Sequence, residues 1–489
     1  MDSLRIQPGD NVAVALRPLS KGEKIDGVTL REDIPAGHKM ALAPILKGEK
    51  AVKYGAPIGE ALRDIGPGEW VHTHNVKTGL SGVLSYEYHP AKTPVRSEKP
   101  GTFRGFLRKD GRAGVRNEIW IIPTVGCVNS VAKNLEAAAA SLKTGSVGGI
   151  YAFGHPYGCS QLGDDHKNTQ KALAGLVRHP NAGGVLVLGL GCENNNLTGF
   201  QKVLGETDPE RVKFLNCQDV EDELEAGLSL IAELCETASR DERTELPVSR
   251  LVIGLKCGGS DGFSGITANP VVGLFSDKLT AQGGSVILTE VPEMFGAETL
   301  LMDRCADKKT FDKTVRLING FKEYFLRYGQ QVYENPSPGN KAGGITTLED
   351  KSLGCTQKSG SSPVRDVLSY GQPVSAAGLH LLQAPGNDLV ASTALAVSGA
   401  QAVLFTTGRG TPFGCPVPTV KISSNTPLKE KKPNWIDFDA GKVLSTGDLP
   451  ACGNELYDYV LRLASGEELA GNEKNNMREI AIFKDGVTL

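Results

Sequence analysis

Two hydrophobic rhythms divide the chain. Over residues 1–90 the apolar runs are short: VAVAL (12–16), KMALAPI (39–45), AVKYG (51–55) and EWVHTHN (69–75). Pro35-Ala36-Gly37, Lys47-Gly48-Glu49 and Gly66-Pro67-Gly68 stand between them. Short runs broken by glycine and proline predict strands joined by tight turns. Residues 1–90 therefore read as a small all-β domain, with a short helix over 57–65. Residues 91–102, within HPAKTPVRSEKPGT, are rich in Pro, Lys and Ser, as a linker is.

From 103 the rhythm changes to strand, loop, helix. IWIIPTV precedes SVAKNLEAAAASL, and VLVLGLG precedes, after a loop, FQKVLG. Strands alternating with helices predict parallel βαβ units. The polar stretch ETASRDERTELPVSR (236–250) separates two such bodies, 103–245 and 246–489. The fold class expected is α+β and multidomain: a small all-β domain, then α/β, Rossmann-like domains with parallel sheets. A chain of 489 residues exceeds what one core holds, which agrees.

The strands end in a recurring way. LVIGLKCGGSDGFSGITANP (251–270) passes from an apolar run straight into glycine, cysteine and small polar residues. IIPTVGCVNS (121–130), GHPYGCSQLGDD (154–165) and VLVLGLGCENNN (185–196) repeat that order. KSLGCTQKSG (351–360) and VLFTTGRGTPFGC (403–415) vary it. Glycine lets the backbone approach a ligand closely, and open α/β sheets bind ligands beyond the carboxyl ends of their strands. Several such loops predict one shared site, to which Ser260, Asp261 and Thr267 bring donors and acceptors. For any single loop, a capped strand-to-helix turn is the competing reading.

Composition narrows the partners. A net charge of −3 carries no basic footprint for nucleic acid. No apolar stretch nears the roughly 18 residues that would span a bilayer, and MDSLRIQPGDNVAVAL lacks a signal-peptide pattern. A cytoplasmic protein is expected, its ten cysteines thiols. None forms a C-x-x-C pair, which argues against a zinc ribbon or a ferredoxin-type cluster. A metal or cluster held by distant cysteines stays open.

Side-chain chemistry supplies three candidates. His72 and His74, two apart on an expected strand, would share a face and begin a metal site, with His38 completing it. His155 and His166 flank Cys159 and Asp165 in GHPYGCSQLGDDH, where proton transfer could be housed, although Asp164 and Asp165 equally suit helix capping. Arg116-Asn117 before IWIIPTV, and Arg409 in TGRGT, could clamp a carboxylate. Lys341 and Lys358 sit in comparable loops. A nucleotide site is weak: Gly189-Leu190-Gly191 opens a dinucleotide fingerprint, but Asn194 stands at its third glycine and there is no P-loop.

The pieces DIPAGHKMAL, HTHN, GVRNEIWIIPTVGCVN, YGCSQLGDDH, GLGCENN, CGGSDGFSGITANP, TEVPEMFGAE, ENPSPGNKAGGITTLEDKSLGCTQK and FTTGRGTPFG follow one another in order. Together they resemble the altronate dehydratase/galactarate dehydratase family over essentially the whole chain. His72-Thr73-His74-Asn75 resembles the altronate side of that family, since galactarate dehydratases carry acidic residues there. The resemblance implies an N-terminal β-clip domain of SAF type and α/β catalytic domains. It also implies a divalent metal, iron(II) or manganese(II), and a place in hexuronate catabolism. The implied reaction is D-altronate to 2-dehydro-3-deoxy-D-gluconate plus water.

Residue roles follow from that chemistry. Dehydration begins with loss of the weakly acidic C2 proton, and a metal would stabilise the enediolate. His38, His72 and His74 are expected to hold it, and His155 or His166, beside Asp165, to act as the base. Arg116 and Arg409 would clamp the carboxylate; Asn117, Ser260, Asp261 and Thr267 would bind hydroxyls. The expected partner is a small sugar acid, with room for a homo-oligomer. The rivals are the same chemistry on galactarate or another aldonate, and an iron–sulfur dehydratase using Cys127, Cys159, Cys192, Cys257 or Cys355. A third is a sugar-acid-binding protein with no activity.

Overall fold

The computed structural model describes residues 1–91 and 97–486. Positions 92–96 of the expected linker therefore lie outside the described residues. Among residues 3–77 the strands are short and antiparallel. Ser3–Leu4, Val12–Ala15, Lys39–Ala41 and Trp70–Val71 form one sheet in that order. Lys50–Lys53, Ala56–Ala61 and Val76–Lys77 form a second, and Lys24–Ile25 pairs with Val28–Thr29. Val12, Ala41, Ile45, Ile58 and Val71 close a core that also touches Ala297 and Leu353 of the C-terminal body.

Two local expectations fail here for visible reasons. Residues 56–61 are a strand, not part of a helix. Pro57 and Gly59 both disfavour helix, and Gly59, at φ 146°, lies so close to Lys77 that a Cβ would sit 2.6 Å from its carbonyl oxygen. His72 and His74 lie in the turn after Trp70–Val71, not on a strand, so they do not alternate onto one face.

The body begins with Thr102–Leu107, which pairs antiparallel with both Ala113–Gly114 and Thr244–Pro247. This small sheet ties the entry of the second domain to its exit. Between them runs a parallel sheet in the order Ile150–Ala152, Glu118–Pro123, Ala182–Gly189, Val212–Asn216. Helices Asn129–Ala138 and Glu223–Ser239 cover one face. Helices Gly163–Val177 and Leu197–Leu204 cover the other, and the core there continues into the C-terminal domain.

That last domain holds seven parallel strands: Val364–Leu368, Gly378–Leu382, Ser285–Leu288, Val252–Cys257, Ala402–Thr407, Thr419–Ser423, Phe438–Asp439. The central ones are buried along their length, as strands covered on both faces must be. The chain lays Val252–Cys257 first, builds outward on one side, then returns to build on the other. Such a reversal opens a crevice at the carboxyl end of the first strand. Among the described residues no helix is long and apolar enough to cross a membrane.

The β domain is seated on this crevice through glycine. A Cβ on Gly262 would fall 1.9 Å from the Gly37 carbonyl oxygen, and one on Gly344 would fall 2.3 Å from the same atom. Gly262→Ala is expected to wedge the β domain off the body. Limited proteolysis between residues 79 and 102 should then speed up and activity should fall at least tenfold; a variant as resistant and active as the parent would refute this contact.

Candidate active site

Two polar layers meet at the crevice, both organised by the short helix Leu348–Cys355, every residue of which is buried. A buried helix must pair each of its charges. Glu349 accepts from the Thr78 hydroxyl at 3.0 Å and from the Gly79 amide at 2.7 Å. Asp350 faces the β domain, where Lys39 Nζ lies 2.8 Å and Lys53 Nζ 3.1 Å from its two oxygens. Lys351 points inward to Glu293 at 2.7 Å. One turn on, on the same helix face, comes Cys355.

The inner layer sits at the end of Val252–Cys257. Lys256 Nζ contacts Glu290 and lies 2.9 Å from Asp388. Lys358 Nζ is 2.8 Å from Cys257 Sγ and 3.4 Å from Glu290. Glu290, directly beyond strand Ser285–Leu288, holds φ 67°, a left-handed conformation costly for a residue with a Cβ. In return its carboxylate receives the Cys257 amide at 2.9 Å. Glu293 Oε2 lies 3.1 Å from Cys257 Sγ and 3.3 Å from Cys355 Sγ, and the two sulfurs are 3.4 Å apart.

The electrostatics separate the layers. In the inner one, Lys256, Lys351 and Lys358 face Glu290, Glu293 and Asp388, cation for carboxylate. Contact with Cys355, and then burial, raise the Cys257 thiol well above its ordinary value. Burial works against the Glu293 charge, but Lys351 outweighs it and holds that carboxyl far below the usual range. In the outer layer two lysines share one carboxylate. Burial drives Lys39 down to about 8 even though Asp350 opposes the shift. Burial acts on Lys53 too, but there Asp350 prevails and the value rises. While Lys39 is protonated, below about pH 8, the outer layer holds one buried positive charge in excess, which an anion would balance.

Cys257, Glu293 and Cys355 form the only group of ligand-type side chains within reach of a single ion among the described residues. Metal–sulfur and metal–oxygen bonds of about 2.3 and 2.1 Å in a tetrahedron set ligands about 3.6–3.8 Å apart. The trio would open by a few tenths of an ångström. Two thiols losing their protons to a divalent ion leave the net charge of the layer unchanged. Three residues of this chain thus fit a divalent metal.

The histidines expected to hold one are arranged otherwise. His38 Nδ1 accepts from Trp70 Nε1 at 3.1 Å while Nε2 faces the Ala342 carbonyl at 3.3 Å, so both nitrogens are engaged. His72 is buried with Nδ1 3.2 Å from Thr346 Oγ1, and desolvation, then Lys39, push its pKa down to about 3. His74 is exposed, its ring 5.3 Å from that of Trp70. These rings frame the outer layer but do not converge on one point.

Other expected site residues are placed elsewhere. His155 has Nε2 2.8 Å from the Pro123 carbonyl and Nδ1 accepting from the Tyr157 amide, and burial lowers it to about 4. It braces a loop of the second domain and has no lone pair free to act as a base. His166 stands half-buried on helix Gly163–Val177, and Asp165 receives the amides of Asp485 and Gly486, latching the C-terminal segment. Arg116 is buried in a two-pronged pair with Glu473 and donates to three carbonyls besides. It has nothing left for a carboxylate. Asn117 is likewise engaged by Arg108, Ser146 and Ala238.

The expected residues that do reach the crevice come from its own loops. Ser260 and Asp261 line it, although Asp261 already accepts from Ser264, Ser424 and Asn425. Thr267 donates to backbone oxygens at the loop base. Arg409 is exposed, and among the described residues its side chain donates to the Gly339 carbonyl alone, at 3.2 Å. Sequence reading passed over Lys39, Lys53, Lys256, Glu290, Glu293, Asp350 and Lys351. A signal existed: lysine within the apolar run VIGLK and two acids inside the apolar TEVPEMF both forecast buried charge.

Comparison with known proteins agrees with this architecture. Residues 1–79 match the altronate/galactarate dehydratase SAF domain, 105–239 the second domain of D-galactarate dehydratase/altronate hydrolase, and 248–488 the C-terminal domain of D-galactarate/altronate dehydratase. The altronate dehydratase of Bacillus subtilis is 56% identical, covering 99% of both chains. That of Escherichia coli is 53% identical over the full length of both. The galactarate dehydratase (L-threo-forming) of Escherichia coli is 32% identical, covering 98% of this chain and 96% of its own. An SAF domain on a parallel α/β body, with such relatives, defines an enzyme of the hydro-lyase class. The chain belongs to the altronate/galactarate dehydratase family.

Proposed function

We propose that the protein dehydrates D-altronate to 2-dehydro-3-deoxy-D-gluconate with the help of iron(II) or manganese(II). The observation that carries the reading is the buried positive charge of Lys39 and Lys53 around Asp350, set beside Cys257, Glu293 and Cys355. An aldonate brings one carboxylate, which matches one excess cation. Cys257, Glu293 and Cys355 would hold the metal, and thiolate donors favour iron over manganese. A bound ion would supply Lewis-acid stabilisation of the negative charge that grows as the C2 proton leaves.

The chain's own groups would then divide the work. Lys53, charged at all working pH, attracts the carboxylate, with Arg409 at the rim. Lys39, with a value of about 8, alternates between charged and neutral near working pH and takes the C2 proton. Ser260 orients the C3 hydroxyl, which leaves as water with the proton that Lys39 has taken. The C2–H electron pair forms the C2=C3 bond, and the resulting enol takes a proton at C3 to become the 2-keto acid. The cavity between the layers is only about 10 Å³, room for one water. A hexonate enters when the β domain lifts from the body.

Lys39→Met is expected to lower kcat by about 10²–10⁴-fold, the usual worth of a general base. It should also abolish a rise in kcat/KM with pH through about 8. An unchanged pH profile would remove Lys39 from the reaction. The proposal as a whole is tested by keto-acid production from chelator-stripped protein with D-altronate, D-galactarate and D-galactonate, anaerobically, with and without iron(II) or manganese(II). Metal-dependent turnover of altronate supports it. Preference for galactarate transfers the mechanism to another acid, and no turnover despite bound metal refutes it.

A further inference from the structure

Cysteine is among the most buried residue types, yet Cys127, Cys159 and Cys192 are exposed, and all three belong to the second domain. Each follows one of three adjacent strands of its parallel sheet: Cys159 after Ile150–Ala152, Cys127 after Glu118–Pro123, Cys192 after Ala182–Gly189. Neighbouring strands lie about 4.8 Å apart, so the thiols stand along one edge. None of this edge takes part in the site of the C-terminal domain.

The three loops are bonded directly to one another. The Gly126 amide donates to the Tyr157 carbonyl at 2.8 Å, and the Asn195 amide to the Gly158 carbonyl at 2.9 Å. The Ser160 amide donates to Asn194 Oδ1 at 2.7 Å, and Asn195 Nδ2 to the Thr124 carbonyl at 3.0 Å. The turns are strained into place. Ser160 holds φ 56°, and at Gly158, φ 98°, a Cβ would strike the Thr124 carbonyl oxygen at 2.0 Å. Between the loops Asn195 is wholly buried, and its Oδ1 has no partner among the described residues. Three cross-bonded loops thus carry the three exposed thiols around one buried, unpartnered amide oxygen.

The spacing of the thiols limits what they hold. They do not all come within 4.8 Å of one another, as the ligands of one ion would. Thiolates on different irons of one cluster stand farther apart than that. We propose that Cys127, Cys159 and Cys192 bind a [4Fe–4S] cluster, each to a separate iron, leaving the fourth iron free of protein sulfur. Each thiol would give up its proton and form one iron–sulfur bond; iron(III) and inorganic sulfide come from outside the chain, and a small thiol, oxidised to its disulfide, supplies the two electrons that leave two irons as iron(II) and two as iron(III). Cys217 follows the fourth strand, but it is half-buried and burial pushes its thiol up to about 11, which sets it behind the other three.

The test is anaerobic reconstitution of the full chain with iron(III), sulfide and a small dithiol as reductant. The parent should take up about four irons and four acid-labile sulfides per chain, with broad visible absorption that bleaches on reduction. Cys127→Ser, Cys159→Ser and Cys192→Ser should each lose most of the labile sulfide while keeping the parental unfolding midpoint. Cys217→Ser and Cys355→Ser should retain it. A parent that takes up iron without labile sulfide overturns the proposal, as does loss of sulfide in Cys355→Ser but not in Cys159→Ser. The metal reading of Cys257, Glu293 and Cys355 is judged separately, by iron bound without sulfide.

Discussion

Asp350→Asn is expected to cost about 3–5 kcal/mol of stability, because it leaves two buried ammonium groups without a counter-charge. Lys39, Lys53 and Asp350 are each no more than 3% exposed at the side chain, so solvent cannot compensate. The loss should fall on the seam between the β domain and the body, since both lysines belong to one side and the aspartate to the other. Calorimetry should show the transition splitting or moving down by several degrees. The pH dependence carries a sign. The Asp350 carboxyl is held well below its ordinary value against the pull of burial, chiefly by Lys39 and Lys53. Its stabilisation is therefore fully present above its unfolded pKa of about 3.9 and is lost as pH falls through the lower folded value. The variant should lack that acid-dependent component. Equal stability of the two proteins at neutral pH would mean that the triad is not buried in solution.

Glu293→Gln is expected to weaken iron(II) binding by more than about 100-fold and to abolish turnover in step. Losing a group that merely orients a ligand already costs 10–100-fold, and Glu293 is the anionic oxygen donor of the proposed site. The substitution also strands Lys351, whose closest carboxylate is Glu293 at 2.7 Å. Metal content after dialysis and keto-acid production should fall together. If iron content holds at the parental level while activity is lost, Glu293 serves the reaction rather than the metal. If both hold, the assignment of the trio is refuted.

Much of the architecture was legible because it rests on local patterns. Short runs such as VAVAL and KMALAPI became antiparallel strands, and IWIIPTV and VLVLGLG became parallel ones. The glycine-cysteine steps marked the carboxyl ends of strands in both sheets. His72-Thr73-His74 was misread because two-residue alternation presumes a strand, and Asn75 instead folds the segment into a turn by accepting the His72 amide and donating to the Trp70 carbonyl. Arg116 looked free for a ligand only because Glu473, its partner, lies 357 residues away.

The sequence by itself determined the order of domains, the parallel character of the body and the loops that face its crevice. All of these depend on which residues neighbour one another along the chain. Only the tertiary structure decided which charges are buried together. Lys39 meets Asp350 across 311 residues, and Cys257 meets Cys355 across 98. Pattern says that a lysine in an apolar run needs a partner, because a lone buried charge is too costly to keep. It does not say which carboxylate answers, since that follows from how the β domain and the seven-stranded sheet close on each other.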